Sequence, residues 1–289
     1  MKTNKFKYSC ADFTFPLLSH DSALKLIGMM GIEAVDLGVF EDRSHQYPSE
    51  VIRDPAGKGR ELYSLLEEAG LEVSDVFLQT GAEPPVSAAN DPDELVRRKN
   101  RDTFLKIVEY TRVLRCKHIT GLPGVYHPNT DDREDWDRAI EEAEWRVGVA
   151  RDAGLTYAVE AHLGSLISDV TSVKRFLKDC PDLSLTLDYG HFAYQGESDS
   201  AIHSLVPYAT HIHARGGAKG KLQTTVKENQ IDFEGMCVRL KEMAYSGYIC
   251  LEYVYQDWEG CNRTDNISET LLLKEKLEAI EQKLQSLSD

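Results

Sequence analysis

The chain has 289 residues, and 42% of them are hydrophobic, which is enough to bury the core of one large domain. Lysine and arginine number 33 against 48 aspartate and glutamate residues, so the formal net charge is −15. Such a charge repels nucleic-acid phosphates and anionic lipids, and it therefore argues against nucleic-acid or membrane partners. Apolar runs stay below the roughly 18 residues of a membrane span, and the N-terminus has no hydrophobic signal core, which predicts a cytoplasmic protein.

The first half of the chain alternates between predicted strands and predicted helices. Strands are predicted at residues 6–15, 32–40, 71–80 and 116–124. Ser19 and Asp21 are typical of a helix start, and Gly31 is typical of its end. Two more helices are predicted at residues 60–70, closed by Gly70, and at residues 95–115.

The second half repeats the alternation. Helices are predicted from Trp136 to Gly154, at residues 171–180, 198–209 and 233–246, and over an apolar stripe that runs from Leu273 to Leu287. Strands are predicted at residues 155–162, 183–191, 211–217 and 248–254. Eight strand-then-helix units over residues 1–289 predict a single α/β domain with the (β/α)8 TIM-barrel fold. A doubly wound sheet is the weaker alternative, because no glycine fingerprint follows the first strand.

Ionisable residues lie within several of these strand patterns. In the sixth strand Leu185 and Leu187 alternate with Thr186 and Asp188, so one face is apolar and the other polar. The same parity points an equivalent set of side chains into the barrel: Glu160, Asp188, His211, His213, Arg215, Cys250 and Glu252. Most of them lie near the carboxyl ends of their strands, where TIM barrels keep their active sites.

Buried charges must be paired or bound to a cation. Three carboxylates and an imidazole on four successive strands therefore predict a site for one divalent metal ion. The six cysteines are scattered without paired spacing and are expected to be reduced. Because the predicted ligand set contains carboxylates and an imidazole but no cysteine, Mn²⁺ or Mg²⁺ is favoured, with Co²⁺ and Zn²⁺ as alternatives. A structural alternative is that Arg215 and hydrogen bonds satisfy these charges without a metal.

The chain resembles the sugar phosphate isomerase/epimerase superfamily, the xylose-isomerase-like TIM barrels, over nearly its whole length. The resemblance lies in AVEAH, LDYGH, HIHARG and CLEYV. It implies that Glu160, Asp188, His213 and Glu252 hold the metal, and that His191 contacts substrate oxygens. It also implies that Glu160 and Glu252 transfer protons through an enediolate, which gives an isomerase or epimerase of a small keto sugar or polyol derivative.

Two positions depart from the ketose 3-epimerase pattern. That pattern has a glutamate where this chain has Leu166, and an arginine where it has Lys219. A metal-dependent lyase or dehydratase that breaks a C–O or C–C bond beside a carbonyl is therefore the alternative. An abasic-site endonuclease, whose barrel is similar, is disfavoured by the net charge of −15. A binding barrel without catalysis is disfavoured by the intact ligand set.

Further substrate contacts are predicted around this site. Arg215 and His162 share the inward face with the predicted ligands, although each could instead serve a neighbouring side chain. His118 is predicted to line the pocket floor, with a hydrogen-bonded core histidine as the alternative. Gln223 lies in a basic, glycine-hinged loop that could close over the substrate. We expect a small carbohydrate substrate, and the resemblance implies a homo-oligomer.

Overall fold

The computed structural model describes residues 5–286, and its strands form one closed parallel barrel. The eight strands are β1 (Lys7–Ala11), β2 (Ala34–Phe40), β3 (Glu72–Gln79), β4 (His118–Gly121), β5 (Thr156–Glu160), β6 (Ser184–Asp188), β7 (Ala209–Ala214) and β8 (Tyr248–Leu251). Each strand pairs in parallel with its neighbours in sequence, and β1 closes the ring by pairing with β8. The predicted (β/α)8 TIM barrel is confirmed.

Helices surround the barrel on its outer side. They are α1 (His20–Met29), α2 (Pro48–Val51), α3 (Pro55–Ala69), α4 (Glu94–Val113), α5 (Asp132–Asp152), α6 (Val170–Asp179), α7 (Tyr189–Gln195), α8 (Asp199–His203), α9 (Phe233–Glu242) and α10 (Asn266–Ser286). Leu287, at the end of the predicted apolar stripe, lies outside the described residues. The predicted helix signals are confirmed at two ends. Ser19 caps α1 by accepting a hydrogen bond from the Ser22 amide, and Gly70 ends α3 in the left-handed conformation at φ 70°.

The alternation in β6 places apolar and polar side chains as predicted. Leu185 and Leu187 are fully buried in the hydrophobic core that includes side chains of the surrounding helices. Thr186 points inward, where its hydroxyl lies 2.7 Å from that of Thr120 on β4. The barrel interior is therefore lined by small and polar groups, and the site residues on the same face have room to converge.

The sixth strand is shorter than predicted. It ends at Asp188, because the carboxylate of this residue accepts a hydrogen bond from the Gly190 amide at 2.6 Å and caps α7. His191 consequently lies in the first turn of a helix instead of on a strand. The turn brings its imidazole back beside Asp188.

Other boundaries also differ from prediction. β1 ends at Ala11, and a 3₁₀ turn follows, since Asp12 bonds to the Gly38 amide at 2.9 Å instead of continuing the strand. The predicted helix at residues 198–209 is interrupted after His203, and Val206–Tyr208 form a separate 3₁₀ turn, because the ring of Pro207 would clash with the His203 carbonyl in a continuous α-helix. All six cysteines are buried free thiols. Between residues 5 and 286, every helix is too short or too polar to cross a bilayer.

Candidate active site

The four predicted ligands meet at the carboxyl ends of four successive strands. Glu160 and Asp188 are the last residues of β5 and β6. His213 lies one residue before the end of β7, and Glu252 directly follows β8. All four are buried, and one donor atom from each lies within 4.8 Å of the others. Donor atoms about 2.0–2.6 Å from one ion lie at most about 5 Å apart, so this spacing suits a single cation.

His213 and Arg215 hold the three carboxylates together. Nδ1 of His213 lies 2.7 Å from Oε1 of Glu160 and 3.4 Å from Oε2 of Glu252. Nη2 of Arg215 donates to Oδ2 of Asp188 at 2.5 Å, and Nη1 lies 3.5 Å from Oε2 of Glu252. These contacts offset the repulsion between the acids.

Negative charge nevertheless exceeds positive charge in this cluster. Burial disfavours the charge of His213, but Glu252, Asp36 and Glu160 outweigh it and raise the pKa of this imidazole well above its usual value. With Arg215 and a protonated His213, the formal sum is −3 + 1 + 1 = −1. A divalent ion that replaced the imidazole proton would bring the sum to −3 + 1 + 2 = 0. In addition, Oε2 of Glu252 is buried and has no hydrogen-bond partner. The charge, the spacing and this orphaned oxygen therefore fit a divalent metal held by Glu160, Asp188, His213 and Glu252.

The pKa values of the three carboxylates are shifted in different directions. Burial raises the pKa of Glu160 to about 7, although the hydrogen bond from His213 opposes the shift. It also raises the pKa of Asp188 to about 6 against the opposing charge of Arg215. Burial disfavours the charge of Glu252 as well, but His213 and Arg215 outweigh it and lower the pKa of this group. Two carboxylates with different proton affinities, Glu160 and Glu252, thus share one site, as in known acid–base pairs.

His191 and His162 are neutral imidazoles beside the cluster. Burial lowers the pKa of His191 well below its usual value, and nearby His162 and Arg215 lower it further. Nδ1 of His191 lies 3.3 Å from the Leu163 amide, and Nε2 lies 3.3 Å from Nη2 of Arg215 and 3.4 Å from Oδ2 of Asp188. Burial likewise lowers the pKa of His162 to about 4. His162 stacks on Trp258, with ring centroids 5.1 Å apart.

The cluster forms the floor of a cavity of about 250 Å³. Its lining residues are Phe13, Pro16, Phe40, Arg43, Phe77, Gln79, Glu160, His162, His191, Arg215, Glu252, Val254, Tyr255, Gln256 and Trp258. Phe13, Phe40 and Phe77 form one apolar wall, in which neighbouring ring centroids are 5.0 Å apart. A polar floor and an aromatic wall suit a small molecule with both hydroxyl groups and a carbon skeleton.

Comparison with known proteins agrees with the barrel and its site. The family model for the xylose isomerase-like TIM barrel matches residues 23–282. The chain belongs to this family. Its predicted membership of the sugar phosphate isomerase/epimerase superfamily is thereby confirmed. No curated protein sequence matches the chain.

Solved structures with the same fold have different printed activities. D-psicose 3-epimerase from Clostridium cellulolyticum H10, solved with D-tagatose, is 15% identical and aligns with TM-score 0.75 over 95% of this chain and 99% of its own. The IOLI protein with a bound zinc atom is 14% identical, with TM-score 0.71 over 96% and 99%. The probable 3-DHS dehydratase AsbF from Bacillus anthracis is 12% identical, with TM-score 0.68 over 93% and 99%. At these identities the likeness shows the fold alone.

Among the predicted substrate contacts of this xylose isomerase-like barrel, His118 lies far from the cavity. It is the first residue of β4, and it lines a different cavity at the amino-terminal end of the barrel. Its Nδ1 lies 2.7 Å from Oδ1 of Asp75, and its Nε2 lies 2.9 Å from the Thr210 hydroxyl. The prediction that it lines the pocket floor is corrected, because both ring nitrogens are used inside the barrel.

Gln223 also lies outside the cavity lining. Its side-chain nitrogen donates to the backbone oxygens of Val254 and Cys261 at 3.0 and 2.7 Å, and its side-chain oxygen accepts from the Val254 amide at 2.8 Å. Both ends of the carboxamide are therefore engaged in hydrogen bonds that anchor the segment that carries Trp258. Its loop packs against the barrel instead of lining the cavity, with Leu222 fully buried. Arg215, by contrast, lines the cavity while it pairs with the acids, so its substrate contact stays a prediction.

Asp36 on β2 was not predicted as a site residue, yet it lies behind His213. Its Oδ2 lies 3.4 Å from Nε2 of His213 and 2.5 Å from Nε2 of His211. Hydroxyl groups of Ser9 and Ser74 donate to its other oxygen. A carboxylate behind a metal-binding imidazole fixes the orientation of the ring and makes it a better ligand. The sequence did contain a signal that could have identified Asp36, namely an acidic residue at an inward position of an otherwise apolar strand.

Proposed function

We propose that this protein is a divalent-metal-dependent isomerase or epimerase of a small keto sugar or polyol derivative. One observation carries the proposal: Glu160 and Glu252 both line the cavity and both belong to the cation-sized cluster at its floor. A pair of carboxylates beside an electrophilic ion is the arrangement required to remove a proton from carbon and return it. The similarity in fold to D-psicose 3-epimerase supports the same reaction class.

The metal proposed for Glu160, Asp188, His213 and Glu252 is Mn²⁺, with Mg²⁺, Co²⁺ and Zn²⁺ as alternatives. When bound, it supplies Lewis acidity that makes the C–H bond between a carbonyl and its neighbouring hydroxyl more acidic. The zinc atom bound by the similar IOLI protein supports the proposal of a divalent ion in this chain.

The protein's own groups then handle the proton and the substrate oxygens. Glu160 and Glu252 come from β5 and the end of β8, which are three strands apart around the ring, so they can flank a substrate. For epimerisation, one removes the proton and the other returns it on the opposite face. For isomerisation, a single carboxylate removes the proton and returns it to the neighbouring carbon on the same face. His191 is a neutral imidazole that lines the cavity, and it contacts a substrate oxygen. The aromatic wall excludes water from the intermediate.

A lyase or dehydratase acting beside a carbonyl is the second candidate. The two residues that depart from the ketose 3-epimerase pattern lie outside the cavity lining: Leu166 is buried in the hydrophobic core, and Lys219 is exposed beside Gly196. The same proton removal expels a leaving group whenever one is attached to the next carbon. The fold similarity to a probable dehydratase is consistent with this alternative.

Deuterium exchange tests the proposal and separates its two outcomes. Protein loaded with Mn²⁺ is incubated in heavy water with a panel of ketoses, keto-polyols and keto acids, and the products are followed by proton NMR. Deuterium at the carbon next to the carbonyl, in substrate or in an epimer, supports the isomerase or epimerase. An enone or a cleaved product supports the lyase. A metal-loaded protein that exchanges no proton in any compound contradicts both.

A further inference from the structure

Arg43 lies on the wall of the cavity, in the loop between β2 and α2. Its guanidinium packs over the ring of Phe40, with Cζ 5.6 Å from the ring centroid. Nη2 donates to Oε1 of Gln79, another cavity-lining residue. Arg43 is therefore held in a defined position beside the space that a substrate would fill.

This cation differs from Arg215, the other arginine of the cavity. Arg215 contacts two carboxylates, Asp188 and Glu252. Within residues 5–286, no carboxylate lies within 4.0 Å of the Arg43 side-chain nitrogens, and its Nε is buried without a hydrogen-bond partner. Burial lowers the pKa of Arg43, and the more distant Glu83 only partly offsets this. A half-buried guanidinium without a counter-ion is unfavourable unless a ligand supplies the negative charge.

We propose that Arg43 binds an anionic group of the substrate, a carboxylate or a phosphate. This inference rests on the proposed function, and it narrows the substrate from keto sugars in general to acidic keto-sugar derivatives. Arginine suits the role because its planar donors match the oxygens of either anion. Gln79 reinforces it, since its oxygen faces Arg43 and its amide nitrogen remains to donate to the same anion.

Such a substrate would bind in the cavity in one orientation. The carbonyl and its neighbouring hydroxyl lie at the floor, near Glu160 and Glu252. The carbon skeleton packs on the apolar wall that includes Phe40. The anionic group lies at Arg43. A volume of about 250 Å³ limits the substrate to a small molecule without a second sugar or a nucleoside.

Matched probes test this assignment. Wild-type protein and Arg43→Met are loaded with Mn²⁺, and the affinities of a neutral ketose, a keto aldonate and a ketose phosphate are measured by calorimetry. We expect Arg43→Met to weaken the preferred acidic probe roughly tenfold or more and to leave the neutral ketose unchanged, since charged hydrogen bonds are lost only with the anion. The acid that loses more identifies the group as carboxylate or phosphate. Arg60→Met, at an exposed position of α3, is the control and should change neither affinity.

Arg43→Lys separates charge from geometry and should recover only part of the affinity. Equal weakening of neutral and acidic probes in Arg43→Met, or no change in either, would overturn the assignment. The titrations are repeated on metal-free protein. If the metal-free protein prefers an acidic probe and Arg43→Met abolishes that preference, anion binding by Arg43 is supported even if the proposed function fails. If the protein takes up metal and exchanges protons but does not prefer acidic probes, only the assignment of Arg43 is overturned.

Discussion

The two ends of this barrel each bury an imidazole, but they surround it with different numbers of acidic side chains. At the amino-terminal end His118 contacts one acid, Asp75, and its other nitrogen meets the Thr210 hydroxyl. At the carboxyl end His213 lies within 3.4 Å of three acids, Glu160, Glu252 and Asp36. The first cluster thus pairs one acid with one imidazole, although the second oxygen of Asp75 is buried without a hydrogen-bond partner. The second cluster brings more carboxylates than basic side chains together, which fits the divalent cation proposed for it.

The difference indicates how to separate structural from functional polar groups inside a barrel. Burial alone does not distinguish the two kinds of group, because both clusters are almost entirely inaccessible to solvent. The ratio of acidic to basic side chains does distinguish them, since uncompensated buried charge persists only where a ligand supplies the missing charge. Substitutions at the carboxyl end should therefore reduce activity and metal binding, whereas substitutions at the amino-terminal end should reduce stability.

The largest effect is expected from Glu252→Gln at the carboxyl end. The change keeps the size and one ligand oxygen but removes the basic oxygen, so proton exchange should fall on the order of a hundredfold or more. Exchange into heavy water is measured at saturating Mn²⁺, with the bound metal quantified in the same sample. Glu234→Gln, which breaks an exposed ion pair with Lys283, is the control and should exchange normally. Undiminished exchange in metal-loaded Glu252→Gln would leave this residue a ligand only.

A smaller effect is expected from Asp36→Asn, one layer behind the ligands. The amide keeps the shape of Asp36 but no longer orients and polarises His213, so metal affinity should fall about 10–100-fold. Calorimetric titration with Mn²⁺ measures this without any substrate. Asp36→Glu retains the charge and should recover part of the affinity. If Asp36→Asn binds metal as tightly as the wild type, the carboxylate serves only to hold His211 and the two serines.

His118→Ala should lower stability without affecting the metal. Removal of the imidazole leaves the buried Asp75 carboxylate without its partner, at a cost of roughly 1–3 kcal/mol in the free energy of unfolding. Urea denaturation measures the loss, and the metal titration is repeated on the folded variant. A folded His118→Ala protein with weakened metal binding would contradict the separation between the two ends.

Much of the site followed from strand periodicity. The two-residue repeat indicated that Glu160, Asp188 and Glu252 share the inward face, and the TIM-barrel fold brings the carboxyl ends of their strands together. The same repeat could not fix strand limits. His118 was placed at the pocket floor because it lies on a predicted strand, whereas it is the first residue of β4 and lies at the opposite end of the barrel.

Other features depended on contacts that periodicity does not encode. Gln223 anchors the segment around Val254 and Cys261, more than thirty residues away in sequence. Phe40 and Phe77 look like ordinary core residues in the sequence, because apolar strand positions can face either the helices or the cavity. Arg43 lies in a loop, where no regular pattern predicts which way a side chain points.

Metal titration of the stripped protein tests the central claim most directly. Protein depleted of metal with a chelator is titrated with Mn²⁺ by calorimetry, and bound metal is confirmed by elemental analysis. We predict about one ion per wild-type chain, a severe loss of affinity in Asp188→Ala, and unchanged stoichiometry in Asp75→Asn at the opposite end of the barrel. A wild-type protein that takes up no divalent ion in excess Mn²⁺, or an Asp188→Ala protein with wild-type affinity, would contradict the account.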